Sequence, residues 1–181
     1  MYSDAEYTPG RQPRLGWVAF KGEAADDQEL AAPPILAHTL LLDKGITDQW
    51  QERKTQIFAA EAIAPSIALV EDSDHFMNKD IVWFVDNEGA CSTLIRGACS
   101  PEDVSGIAEL TQLLAMRLGA RIWFEWIDSK ANPSDGLSRD GLGCPLFGAV
   151  ATDARRPEWQ VAPDHATRLR RAATAPLASL V

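Results

Sequence analysis

Three cysteines among 181 residues (Cys91, Cys99 and Cys144) are an odd count without a CxxC spacing. This pattern excludes a disulfide framework and a zinc ribbon, and predicts reduced structural thiols. No apolar run approaches the roughly 20 residues that span a bilayer. The opening "MYSDAEYTPG" has neither a basic n-region nor an apolar h-region, so no secretory signal or membrane partner is expected. An intracellular setting, cytoplasm or nucleus, follows as an expectation. Positive charge is also scarce, with a net charge of −9. That argues against the broad basic surface of most nucleic-acid binders. The deficit is uneven. Residues 151–181 hold five Arg against Asp153, Glu158 and Asp164, or +2, which leaves −11 on residues 1–150, since −9 less +2 is −11. An acidic body can still act on nucleic acid if its carboxylates hold divalent metals, which reverse the local sign.

A hydrophobic fraction of 46% and a charged fraction of 24% suit a globular chain with its own core. The pattern predicts a strand over 15–22, an acidic loop over 23–34 and a short buried segment over 35–43. Periodicity alone does not tell strand from helix in that segment, and a strand is the expectation. Residues 51–70 carry Ile57, Ala60, Ala64, Ile67 and Ala68 on one stripe, predicting an amphipathic helix that Pro65 should kink or break. "IVWFV" (81–85) reads as a central strand buried on both faces. A short helix follows it. Ser100-Pro101-Glu102-Asp103 then opens another, with Ser100 as N-cap and Pro101 at its first position. That helix runs to Gly119, and "ARIWFEWI" (120–127) is the last strand. Trp83, Trp123 and Trp126 fall in strands and are expected in the core. From about residue 150 little periodicity is evident, so 146–181 is expected to be a poorly ordered extension of a 1–145 domain. Three early strands followed by strand–helix alternation define an α/β domain with a mixed sheet.

Four acids fall at informative places on this scaffold. Asp4 lies in the first short strand, Asp86 directly after "IVWFV", and Asp135 just after the last strand and a loop. Glu61 lies in a helix among Ala59, Ala60, Ala62 and Ala64. Each has a plain alternative. Asp86 could be only a helix N-cap, Asp135 a turn residue, Asp4 a solvated terminal acid, and Glu61 an exposed helix residue. Together they suggest more, because ligand sites gather at strand ends. Clustered carboxylates repel unless a cation sits between them, and Mg²⁺ or Mn²⁺ takes hard oxygen ligands. Two such ions can clamp the attacking and leaving oxygens of a phosphodiester.

In those motifs the chain resembles the ribonuclease H fold, and more narrowly the RNase H-like domain of reverse transcriptases from DIRS-like retroelements. "YSDAEYTPGRQPRLGWVAF" is similar to that family's opening, "RKTQIFAAEAIA" to its first helix, "IVWFVDNEGA" to its central strand ending in Asp-Asn, and "WIDSKANPSDGLSRDG" to its closing signature. The resemblance covers roughly residues 2–141. It implies a five-stranded sheet in the order 3-2-1-4-5 with helices on both faces. It implies Asp4, Glu61, Asp86 and Asp135 as catalytic, metal-binding carboxylates for two Mg²⁺ or Mn²⁺ ions. It also implies cleavage of the RNA strand of an RNA–DNA hybrid, and a reverse transcriptase polymerase domain as a partner. Leu137 would anchor the last motif in the core, and Arg139 would meet phosphate or a nearby acid. The histidine between the third and fourth acids and the basic helix–loop, both found in many cellular relatives, are not in this chain. The alternative is therefore a non-catalytic nucleic-acid-binding or scaffold remnant.

Overall fold

A computed structural model describes residues 1–22 and 34–146. The acidic loop, apart from Pro34, and all but the first residue of the C-terminal extension lie outside the described residues. The expectation of disorder beyond 146 lies there too.

Five strands form one sheet in the order β3-β2-β1-β4-β5: β1 (Tyr2–Glu6), β2 (Arg14–Ala19), β3 (Leu36–Leu41), β4 (Asp80–Val85) and β5 (Arg121–Trp126). β1, β2 and β3 pair antiparallel; β4 lies parallel to β1, and β5 parallel to β4. The expected mixed sheet and its order are both found. Among the described residues the α-helices are α1 (Lys44–Thr47), α2 (Ile57–Glu71), α3 (Ser73–Phe76), α4 (Glu88–Arg96) and α5 (Glu102–Arg117) between strands, and α6 (Asp135–Asp140) after β5.

Alternation along the strands sorts the side chains into two faces. On one face Leu15, Trp17, Trp83, Val85 and Phe124 form the main core with α2, α4 and α5. On the other, Val18 and Ala37 pack against Leu137 of α6 and Cys144. Helices therefore cover both faces, but α6 is short and its contacts are with β1, β2 and β3. Over β4 and β5 that second face is open among the described residues. Val82 is 50% exposed and Trp123 69%. This corrects two expectations: β4 is buried on one face only, and of the three strand tryptophans only Trp83 is core. Strand parity places Trp123 opposite to Phe124, and no described element packs over it. Trp126, back on the helix-covered face but at the edge strand's end, is half-exposed.

The helix predicted over 51–70 begins instead at Ile57. Residues 51–56 are held away from helical geometry by the start of α5. Arg53 Nη2 contacts both carboxylate oxygens of Asp103 at 2.6 and 2.8 Å, and the Gln51 amide donates to the same side chain at 2.9 Å. Arg53 is thus a structural cation. Pro65 does not break α2, which runs unbroken from 57 to 71. The helix is also not one-sided, because every residue from Ala59 to Leu69 is buried. Packing against β1, β2, α4 and α5 outweighs the lost Glu61 carbonyl partner, since tertiary burial supplies most helical stability. Helix α5 starts one residue later than expected, with Pro101 as its N-cap. Gly97 closes α4 at φ +73°, a left-handed conformation that glycine adopts without a Cβ penalty. All three cysteines are free, and among the described residues no helix is long and apolar enough to cross a membrane.

Candidate metal centre

β1 and β4 run parallel, so their carboxyl ends open at the same end of the sheet, and Asp4 and Asp86 come together there. Asp86 follows β4 directly. The N-cap of α4 is Asn87, whose side chain accepts from the Ala90 amide at 3.0 Å. The plain reading of Asp86 as a helix cap is therefore corrected: its neighbour does that work, and Asp86 faces the cleft. Glu61 reaches over β1 from α2 and accepts from the Ala5 amide at 3.1 Å through Oε1. One carboxylate oxygen from each of Asp4, Glu61 and Asp86 lies within 4.8 Å of the others.

Asp135 lies on the wall of the same cleft, which has a volume of about 420 Å³ and also presents Tyr7, Ser129 and Arg139. It stands outside the closest group of three and is engaged by Arg139, whose Nη2 is 2.9 Å from Asp135 Oδ1. The expectation that Arg139 meets a nearby acid is met by this pair. The stretch from Asn132 to Ser138 is built to hold that position. Asn132 is buried; its Nδ2 donates to the Ser3 carbonyl at 3.2 Å, and its Oδ1 accepts from the Ser134 amide and hydroxyl at 3.1 and 2.6 Å. Asn-Pro thus ties the turn to β1, and Leu137, fully buried, anchors α6 on β2. One turn on, the Ser138 hydroxyl meets both Asp4 Oδ2 and the Asp135 carbonyl.

Gly16 makes this approach possible. It pairs with Asp4 across β1 and β2. A Cβ there would lie 2.5 Å from the Ser138 amide nitrogen and 2.7 Å from Leu137 Cβ. Gly16 and Ser138 are the site-supporting residues that sequence reasoning missed. The visible signals were a glycine inside a strand, which marks close backbone approach, and a serine inside the closing motif.

The electrostatics fit a cation. Burial pushes the Asp4 carboxyl up to about 6; the Ser138 hydrogen bond opposes this, and the Asp86 and Asp135 charges add to it. Glu61 is raised well above its ordinary value, first by burial and then by the charges of Asp4 and Asp86. Its second oxygen, Oε2, is buried with no hydrogen-bond partner. Converging hard oxygens, mutual repulsion and an orphaned carboxylate oxygen are together what a divalent cation satisfies.

The sheet order and the covering of both faces define the RNase H-like class of α/β fold. Among solved structures, the chain is similar to the crystal structure of RNase H1 from the halophilic archaeon Halobacterium salinarum NRC-1. The TM-score is 0.58 at 18% sequence identity, over 78% of this chain and 94% of that one. No protein-family model matches the chain, and no curated protein sequence matches it.

Proposed function

We propose that this chain is a divalent-metal-dependent nuclease that hydrolyses the RNA strand of RNA–DNA hybrids. The observation that carries the reading is the convergence of Asp4, Glu61 and Asp86 from three separate elements, two of the three buried, on an open cleft. Buried like charges are costly, and Gly16, Asn132, Leu137 and Ser138 seat the Asp135 turn against β1 and β2 beside Asp4.

Asp4, Glu61 and Asp86 would hold the first cation, Mg²⁺ or Mn²⁺, and Asp135 would join the ligand set for a second. Bound there, such ions supply Lewis-acid stabilisation of charge on a phosphodiester and activation of water. Glu61 Oε1 is oriented by the Ala5 amide, and Asp4 by Ser138, so both present a fixed oxygen to the cleft. Arg139, exposed at the rim and singly paired, is placed to receive a backbone phosphate, and its release would free Asp135. Hybrid selection would rest on 2′-hydroxyl contacts in the minor groove. The quoted motifs support a retroelement origin, in which a reverse transcriptase polymerase domain supplies affinity that an acidic body lacks.

The test uses an end-labelled RNA–DNA hybrid in Mg²⁺ or Mn²⁺, with single-stranded RNA and duplex DNA as controls. Cleavage of the hybrid's RNA strand leaving 5′-phosphate and 3′-hydroxyl ends is expected, and Asp86→Asn should abolish it. Hybrid binding without cleavage in either metal would replace this reading with a non-catalytic binding module.

A further inference from the structure

Strands β1 and β4 stop pairing just where the acids gather. The Met1 amino group donates to the Val82 carbonyl at 3.0 Å, and the Phe84 amide donates to the Met1 carbonyl at 2.9 Å. The register continues with Tyr2 opposite Phe84 and Ser3 opposite Val85. Bonds in a parallel ladder are evenly spaced and repeat every two residues, so the rung beyond Ser3 would join the Ala5 amide to the Asp86 carbonyl. Both groups bond elsewhere. The Ala5 amide donates to Glu61 Oε1 at 3.1 Å, and the Asp86 carbonyl accepts from the Trp126 indole Nε1 at 3.0 Å.

Two side chains thus keep apart one donor and one acceptor that the sheet would otherwise pair, and each supplies the partner that a backbone group requires. One of them, Glu61, belongs to the close group of acids. The other, Trp126, is the last residue of β5 and the register partner of Val85. Its bond is to the Asp86 backbone rather than to the carboxylate. On the other side of that peptide, Asn87 caps α4. The turn that carries the Asp86 carboxylate out of the sheet is therefore fixed both before and after the helix begins.

We infer that Trp126 is a positioning residue for Asp86, an inference that rests on the metal-dependent reading of the cleft. Its indole N–H holds the Asp86 carbonyl on the β5 side and keeps that peptide from turning toward Ala5. The Asp86 carboxylate then stays directed at Asp4 and Glu61, and Glu61 keeps the Ala5 amide to itself. Without the N–H, the Asp86 carbonyl and the Glu61 carboxylate compete for one amide. Two of the three acids lose their orientation together, and the gap between β1 and β4 that would admit a cation can close.

Mn²⁺ binding to the full chain, with the free ion counted by electron paramagnetic resonance, tests this. Benzothienylalanine in place of Trp126 keeps the ring shape and puts sulfur where the N–H stands. Trp126 is half-exposed, so this exchange disturbs little packing. Trp126→Phe is the second variant. Trp123→Phe is the control, since the Trp123 indole donates to Glu125 Oε2 at 3.2 Å on the open face of the same strand. Both Trp126 variants should bind Mn²⁺ about tenfold more weakly than wild type, the scale on which a lost partner behind a metal ligand acts. Trp123→Phe should bind as wild type does. If the benzothienylalanine variant binds Mn²⁺ within about twofold of wild type, the inference is overturned even where Trp126→Phe is weaker, because ring packing and not the N–H is then what counts. Equal weakening in Trp123→Phe also overturns it, as a general effect of the edge strand. A wild type that takes up no Mn²⁺ instead overturns the metal-dependent reading itself, and this inference with it.

Discussion

Replacing Glu61 by Gln removes a carboxyl whose charged form is disfavoured by burial and by the Asp4 and Asp86 charges. Asp4 and Glu61 both titrate higher in the folded chain than in the unfolded one. The folded state therefore holds more protons between the ordinary carboxylate value of about 4 and the raised values, and stability falls as pH rises through that window. Asp80 and Asp103, both lowered, act below it. The metal-free protein should thus melt higher at pH 4.5 than at pH 6; above that the Met1 amino group, lowered to about 6 by burial, works in the opposite sense. A carboxyl moved from 3.8 to about 6 corresponds to about 3 kcal/mol for Asp4 alone. Glu61→Gln should flatten that fall, as followed by circular dichroism in a chelator; an unchanged slope would contradict the assignment of charge to Glu61. Asp86→Asn should leave the metal-free protein as stable or slightly more so, because it relieves repulsion without touching the Asn87 cap. This distinction lay half in view in the sequence. Asp-Asn after a strong strand announces a cap and a free acid, but which residue caps depends on backbone dihedrals that spacing does not report.

At the scale of elements, β4, α4, α5 and β5 were legible because each pairs a clear apolar period with a start or stop signal. Helix α2 was legible only in part. Its start was obscured by a long-range contact, Arg53 with Asp103, and its tolerance of Pro65 by packing on every side. The open face of β4 was not legible either: a continuous apolar run reads the same whether one or both faces are covered. α6 is the element on which the site most depends, and its seat on Gly16 gives a sharp expectation. Gly16→Ala should place a methyl against Leu137 and Ser138, costing about 1–3 kcal/mol by overpacking. The shift should move Ser138 off Asp4 and Asp135 off the cleft, so metal affinity should fall further than stability explains. Chemical denaturation together with metal titration of the variant checks both. A loss of stability with normal metal binding would show that α6 seats the core but not the site.

On the scale of the whole molecule, four acids far apart in the chain line one cleft because the sheet order 3-2-1-4-5 places β1 beside β4. Three of them form the close group, and the fourth waits at the rim in an ion pair. A body of net charge −9 gains little from a polyanion by long-range attraction, so under the proposed function cations held in the cleft would supply the local reversal of sign. The most direct test is the thermal midpoint of the full chain during titration with Mn²⁺, in wild type and in Asp4→Asn/Asp86→Asn. A ligand bound only by the folded state raises the midpoint by mass action. The account predicts a saturable rise in wild type, steeper at pH 7.5 than at pH 5, where protons compete for the raised carboxyls, and none in the double variant. A midpoint indifferent to Mn²⁺ in wild type, or a rise that persists without Asp4 and Asp86, would contradict it.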